Sequence, residues 1–480
     1  MFANFSSSNN LIGGLGAGNV ISGNSMSGIY VFGANSAGGN NNVVQGNYIG
    51  TDATGTQALG NSIGITLDSV TNTTIGGAEV GAGNVISGNA GFGVNIFGNA
   101  SRNVLAGNFI GTDVSGTQAL GNRAGGVVIN LRASNNRIGG TTAESRNVIS
   151  ANGNAGVLIS DELTAGNVLQ GNYIGTDVSG TQPLGNTTGV IIRQGATNTM
   201  IGGTVSSAGN LISGNQGDGI QISGGDSFGT TDNVVQGNFI GTDSTGVQAL
   251  GNQKGITITG FGTDRNSIGG TATGAGNVIS GNAQAGVSIT QLASRNVIQG
   301  NFIGTDLSGE QALGNGTGIE ILTAFGNTIG GSAPGAGNVI AFSGGDGVLI
   351  DTGTGNAILH NRIFANANLG IELLHGGNNN QAAPVLTSAV TGQGITTIQG
   401  TFSGQPSTTY TLEFFADTDN PAQGRRFLGS FTVTTNSSGV ANFMFSLGLE
   451  LMPGEWVTAT GTDPNNNPSA FSSGVAVTGA

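Results

Sequence analysis

Twelve Lys and Arg, two His and 25 Asp and Glu are all the charged side chains in this sequence, and two stretches concentrate the ones that could do chemistry. Asp226 and Asp232 lie in the insertion GGDSFGTTDN and Asp218 shortly before it, with Lys254, Asp264 and Arg265 about one repeat further on. Glu320, Asp346, Asp351, Arg362, Glu372 and His375 crowd the stretch that ends at residue 375. Such groups suit two reactions. A carboxylate cluster, usually with calcium, can neutralise a uronate while a Lys, Arg, His or Tyr removes its α-proton. Alternatively, two carboxylates about 5–9.5 Å apart can flank a glycosidic bond and hydrolyse it. The structural reading of the same residues is a set of solvated charges on loops and on an exposed face.

A phrase repeated five times holds a second set of candidates: GNYIGTDATGTQALGN at 46 returns with small changes at 107, 171, 237 and 300. Its aromatics, Tyr48, Phe109, Tyr173, Phe239 and Phe302, form either a sugar-stacking platform or an apolar column covered by the following loops, with Leu59, Leu120, Leu184, Leu250 and Leu313 folding back over the rings. Its aspartates, Asp52, Asp113, Asp177, Asp243 and Asp306, are weak calcium candidates. Calcium takes about 6–8 oxygens, and each loop offers one carboxylate. Capping the amides of its own loop suits each aspartate better.

The elements that carry these residues follow from the repeat. The phrase recurs at spacings of 61, 64, 66 and 63 residues, and Gly-apolar-x-apolar occurs twice in each period, from GIYV at 28 to GIEL at 370. The unit is therefore about thirty residues long. Within it, apolar and polar positions alternate over three to five residues and stop at Gly-Asn or Gly-Gly, which reads as short strands joined by tight turns. Several short strands per turn, with like residues at like places, predict a parallel β-helix whose inward aliphatics form columns. In the phrase, Ile49 points inward and Tyr48 outward. Asn19, Asn84, Asn147, Asn210, Asn277 and Asn338 recur before Val-Ile or Leu-Ile as a stacked amide ladder. The outward position of the Gly-apolar-x-apolar strand runs Tyr30, Thr66, Asn95, Val128, Leu158, Ile191, Gln221, Thr257, Ser288, Glu320, Leu349, Glu372. That is no threonine array, so an ice-binding face is excluded.

NAILHNRIFANANLGIEL at 356–373 resembles the right-handed parallel β-helix repeats of the pectate-lyase-like superfamily. The resemblance covers residues 9 to about 377 and implies the handedness. The IGTD and LGN phrasing is similar to that of large secreted bacterial repeat proteins, a group with no single activity. The paired-Asp, GHG and RIK motifs of polygalacturonase-like hydrolases and the DPHD motif of alginate epimerases are absent. From Pro384 the composition changes: six of the eight prolines and Trp456 lie in the last 97 residues, with about seven alternating runs. FLGSFTVTTNSSGVANF and VTATGTDPNNNPSAFS resemble the Ig-like modules that close bacterial surface proteins, and such a module can cap an open helix end.

The expected fold is all-β: a right-handed parallel β-helix of about twelve rungs over 1–377, a linker at 378–383 and an Ig-like β-sandwich over 384–480. SSSNNLIGG at 6–14 already lies inside a repeat, so the array is expected to begin before it. The net charge of −13 excludes nucleic acid as a partner, the lack of cysteine excludes disulfides and thiolate metal sites, and no apolar run reaches the roughly 18 residues of a membrane span. The expected function is a non-catalytic extracellular or cell-surface rod, structural or adhesive and able to self-assemble, without a cofactor. The alternative is a carbohydrate-active enzyme of the polysaccharide-lyase type or a carbohydrate-binding β-helix, with polysaccharide as partner and calcium as the one ion with ligands in view.

Overall fold

The computed structural model describes residues 2–3, 8–33, 39–225 and 228–480. Three parallel sheets, of 13, 12 and 12 strands, pair each strand with its counterpart one rung before and one rung after. One rung illustrates the unit: Thr317–Leu322 lies in the first sheet, Thr328–Gly330 in the second and Val339–Ala341 in the third. The chain is thus a parallel β-helix of about twelve rungs, as the repeat predicts. At a strand spacing of about 4.8 Å the stack is roughly 55–60 Å long.

Alternation decides what fills the coil. Ile49, Ile110, Ile174, Ile240 and Ile303 are fully buried, and with their counterparts in the other two sheets they form one aliphatic core from Ile12 to Ile371. The corners are held by asparagine. From Asn19 to Asn338 each side-chain amide donates to the carboxamide oxygen one rung on, as Asn172 does to Asn210 at 2.9 Å, and from Asn47 onward also to a backbone carbonyl, here Ile138 O at 2.9 Å. A second ladder runs from Asn24 to Asn315. A third, through Asn103, Asn136 and Asn167 and again from Asn233 to Asn356, is broken by Thr73 and Thr199, whose buried hydroxyls have no partner. Buried backbone at a tight corner needs such donors, and a short amide reaches without filling the core. The glycine of the N-x-IGG turn is equally constrained. Gly139 has φ 84°, and an added Cβ would lie 2.0 Å from Gln170 O of the next rung.

Beyond the last rung, seven strands form one sheet in the order Arg426–Thr434, Thr409–Asp417, Trp456–Thr462, Val475–Gly479, Val385–Gly392, Ile395–Ser403, Val440–Leu447. The two flanks of this sheet fold over a separate core that includes Ile398, Phe402, Leu412, Phe414, Phe443 and Val457. This is the expected sandwich, closed almost into a barrel by the parallel pairing of Val475–Gly479 with Val385–Gly392. It seats on the open end of the helix. Gln423 accepts from Asn366 N at 2.9 Å and donates to Asn366 O and Asn368 O, each at 2.8 Å, where a further rung would have supplied those partners. Asn467 accepts from Gly355 N, Gly424 O accepts from Ile363 N, and Phe471 packs on the apolar column. The third ladder ends on Asn378, whose Oδ1 accepts from Asn356 N.

Candidate functional site

The outward face of the first sheet carries the residues with chemical potential. Register places Gln221, Thr257, Ser288 and Glu320 side by side on four successive strands. The residue before the glycine of each strand leans onto the same face: Asp218 on the first of these rungs and Lys254 on the next. Lys254 reaches two rungs along the axis, donating to Glu320 Oε1 at 2.7 Å and to Ser288 Oγ at 3.2 Å, while Ser288 Oγ donates to Glu320 Oε1 at 2.6 Å. Both members of the ion pair are largely buried, with side chains 24% and 17% exposed. The sole lysine is thereby committed to a carboxylate.

Asp218 sits differently. Burial pushes its carboxyl above the usual carboxylate range, the Thr257 hydroxyl and the Lys254 ammonium pull it partly back, and the charge of Glu320 adds to the rise. Thr257 Oγ1 has no partner at hydrogen-bonding distance, so its pull acts across a longer gap. Asp218 leans toward the following rung and Glu320 toward the preceding one. Their carboxyl groups therefore lie about one to two rungs apart, roughly 5–10 Å. A half-buried carboxyl whose pKa is raised by burial lies near a second carboxylate fixed by an ammonium and a hydroxyl. This arrangement can give a proton on one side of a bond and take one on the other.

Chain order grouped these residues wrongly. The cluster around the insertion splits in two: Asp218 and Lys254 share the sheet face with Glu320, which comes from the other cluster, while Asp232 and Arg265 meet elsewhere. Asp232 and Arg265 form a bidentate pair at 3.0 Å on an exposed corner, where Arg265 holds the Asp232 carboxyl below its ordinary range. Asp264 is bound by Arg295 at 2.6 Å and Ser294 at 2.8 Å. Asp226 lies outside the described residues. On the final rungs Asp351 pairs with His375 at 2.8 Å in the open. Glu372 lies against Asp346; burial, then the hydrogen bond and charge of Asp346, push its carboxyl upward. Arg362 donates to Glu310 at 2.9 Å and to Arg425 O at 3.1 Å, which ties it to the terminal module. Ser288 and Thr257 had no assigned role in the sequence. The signal was their place in the outward column beside Glu320.

The aromatic column is half-buried and not an open platform. Tyr48, Phe109, Tyr173, Phe239 and Phe302 alternate along the third sheet with aliphatics such as Val85 and Val148. A loop glycine lies over each ring, a cover that the sequence did not suggest. Gly116 (φ 70°) lies so close over Phe109 that an added Cβ would be 2.7 Å from the ring, and Gly55, Gly180, Gly246 and Gly309 repeat the contact. Leu59 instead closes its loop through the backbone, donating from N to Gly50 O at 2.8 Å, and leaves its side chain 52% exposed. Val128, Leu158 and Ile191, also outward, are buried and pack with Phe92 and Ala155.

Each loop aspartate binds its own loop. Asp113 accepts from Ser115 Oγ at 2.8 Å, Thr117 N at 3.2 Å and Gln118 N at 3.1 Å; Asp52, Asp177, Asp243 and Asp306 do the same. Burial works against the Asp113 carboxylate, but these donors prevail and hold it below its ordinary range. Neighbouring loops also bond to one another, Val114 N to Gly55 O at 3.1 Å and Val178 N to Gly116 O at 3.0 Å, so the loops stack into a ridge. Among the described residues no group of three or more His, Cys, Asp or Glu could hold a metal ion, and no helix is long and apolar enough to cross a membrane.

No family model and no curated protein matches the chain. Solved structures do. Tailspike protein 2 of Escherichia coli O157:H7 bacteriophage CAB120 aligns over 97% of this chain and 60% of its own, at 13% identity and a TM-score of 0.28. Tailspike gp49 of Acinetobacter baumannii bacteriophage Fri1, described as a capsular polysaccharide depolymerase, aligns over 97% of this chain and 83% of its own, at 9% identity and a TM-score of 0.24. The enzymatically active domain of bacteriophage CBA120 tailspike protein 4 gives 98%, 61%, 10% and 0.23 for the same quantities. The expected non-catalytic rod is not the described role of these neighbours: two of the three are described as enzymes. At such scores the likeness says nothing of residues or substrates, and those come from this chain alone.

Proposed function

We propose that this chain is an extracellular or virion-surface polysaccharide hydrolase that cleaves glycan chains on the outward face of the first sheet. The observation that supports this is the gathering of Asp218, Lys254, Ser288 and Glu320 on adjacent strands. Asp218, whose carboxyl is raised by burial above the usual carboxylate range, gives its proton to the glycosidic oxygen as the bond from the anomeric carbon breaks. Glu320 takes a proton from the water that attacks that carbon. Lys254 and Ser288 hold the Glu320 carboxylate in place. The separation of roughly 5–10 Å spans the carboxylate spacings of both retaining and inverting hydrolases, about 5–9.5 Å. Elimination fits less well, because the sole lysine donates to a carboxylate and is not free to abstract a proton.

The test compares products. Wild-type protein is incubated with bacterial capsular and lipopolysaccharide glycans, pectate and alginate, and both reducing ends and unsaturated uronate are measured. New reducing ends without ultraviolet-absorbing uronate are expected from at least one polysaccharide. Unsaturated products would replace hydrolysis with elimination, and no product from any of them would remove the catalytic reading.

A further inference from the structure

A cleft of about 490 Å³ opens at the corner that follows the first-sheet strands, lined by Leu131, Arg132, Asp161, Glu162, Gln194, Gly225 and Phe228. It exists because the repeat breaks there. Most rungs pass from the first sheet to the second in five to seven residues, whereas ten separate Ser223 from Val234, and Phe228 of that stretch reaches the preceding corner. Phe228 then lies against Gly195, where an added Cβ would be 2.9 Å from the Phe228 Cβ and 3.3 Å from the Glu162 Cα. Phe228 and Leu131 stay 48% and 53% exposed, so neither is needed to fill the core.

We propose that this cleft binds one or two sugars of an uncharged glycan, as an anchoring subsite for the chain whose cleavage is proposed above, and in that respect it rests on that reading. Its size falls within the roughly 300–1,000 Å³ of small-ligand sites, and it pairs an aromatic and an aliphatic surface with planar polar groups able to bond hydroxyls in pairs. One arginine faces two carboxylates, and the whole chain carries −13, so a polyanion is repelled. The strand Ile220–Ser223 joins the cleft to the catalytic candidates. Asp218 precedes this strand and Gly225 follows it, roughly 23 Å along an extended chain at about 3.3 Å per residue. A glycan lying across the face can touch both places.

The experiment uses the full chain carrying Asp218→Asn and Glu320→Gln, probed on an array of neutral and uronate-bearing oligosaccharides. Binding to neutral glycans is expected. It should weaken about tenfold on adding Phe228→Ala or Glu162→Ala, with the melting temperature unchanged, and should persist on adding Phe261→Ala, a 74% exposed ring outside the cleft. Undiminished binding in both cleft variants, or binding confined to uronates, overturns the subsite even if the wild type hydrolyses polysaccharide. Binding lost in the cleft variants of a chain that cleaves nothing keeps the subsite and removes the hydrolase. An array with no bound glycan overturns the subsite.

Discussion

The proton on Asp218 is the residue-scale quantity on which the chemistry turns. Burial raises its folded pKa above the unfolded value. The neutral acid is therefore favoured in the folded state, and any stability that this contributes is full below the unfolded pKa and lost as pH rises through the folded one. Hydrolysis should fall along the same limb, as the acid ionises. Asp218→Asn is expected to remove that limb together with most of the activity, on the order of 10²–10⁴-fold for loss of a general acid, which a pH–rate profile reads directly. The sequence displayed Asp218, Lys254 and Glu320 but could not join them. Lys254 and Glu320 are 66 positions apart, and only side chains leaning along the axis bring an ammonium from one rung to a carboxylate two rungs away.

Among the elements, corners and loops specify the coil as much as its apolar strands do. Alternation of Ile and Val made the strands legible, and with them the inward Ile49 and outward Tyr48. The loop cover was not legible, since glycine and leucine both recur in every copy and only backbone geometry decides which one meets the ring. Gly116→Ala should destabilise by about 1–3 kcal/mol, because the new methyl would press on Phe109 and Val178 at a positive φ. Asn172→Ala should cost at least about 2 kcal/mol, because Asn147 N loses its acceptor and Ile138 O and Asn210 Oδ1 each lose a donor. Chemical denaturation of each variant measures both. The buried, unpartnered hydroxyls of Thr73 and Thr199 mark where the third ladder already bears a cost of this kind.

For the whole molecule, the seam between helix and terminal module decides how the last rung is protected. His360 donates from N to Glu413 at 3.2 Å, its ring meets the same buried carboxylate at 3.1 Å, and it stacks on Phe427 at 4.2 Å. The hydrogen bond to Glu413 is the largest influence on the ring and raises its pKa against the opposing effect of burial. The stabilisation is thus full below the unfolded imidazole value of about 6.5 and lost as pH rises through the raised folded value. Thermal melts should show stability declining across that upper window, and His360→Gln should flatten the decline. The change of composition at Pro384 made the module legible. Its seating was not, because Gln423 and Glu413 look like ordinary polar residues until they replace the missing rung.

Whether Asp218 and Glu320 carry the cleavage is read from the rate of reducing-end release from a polysaccharide that the wild type cleaves, measured for wild type, Asp218→Asn, Glu320→Gln and His375→Gln. The first two variants should lose activity on the order of 10²-fold or more while remaining folded by circular dichroism, and His375→Gln, altered only in an exposed pair on the last rungs, should cleave like the wild type. Undiminished release by Asp218→Asn and Glu320→Gln would contradict that role and move the chemistry off this face.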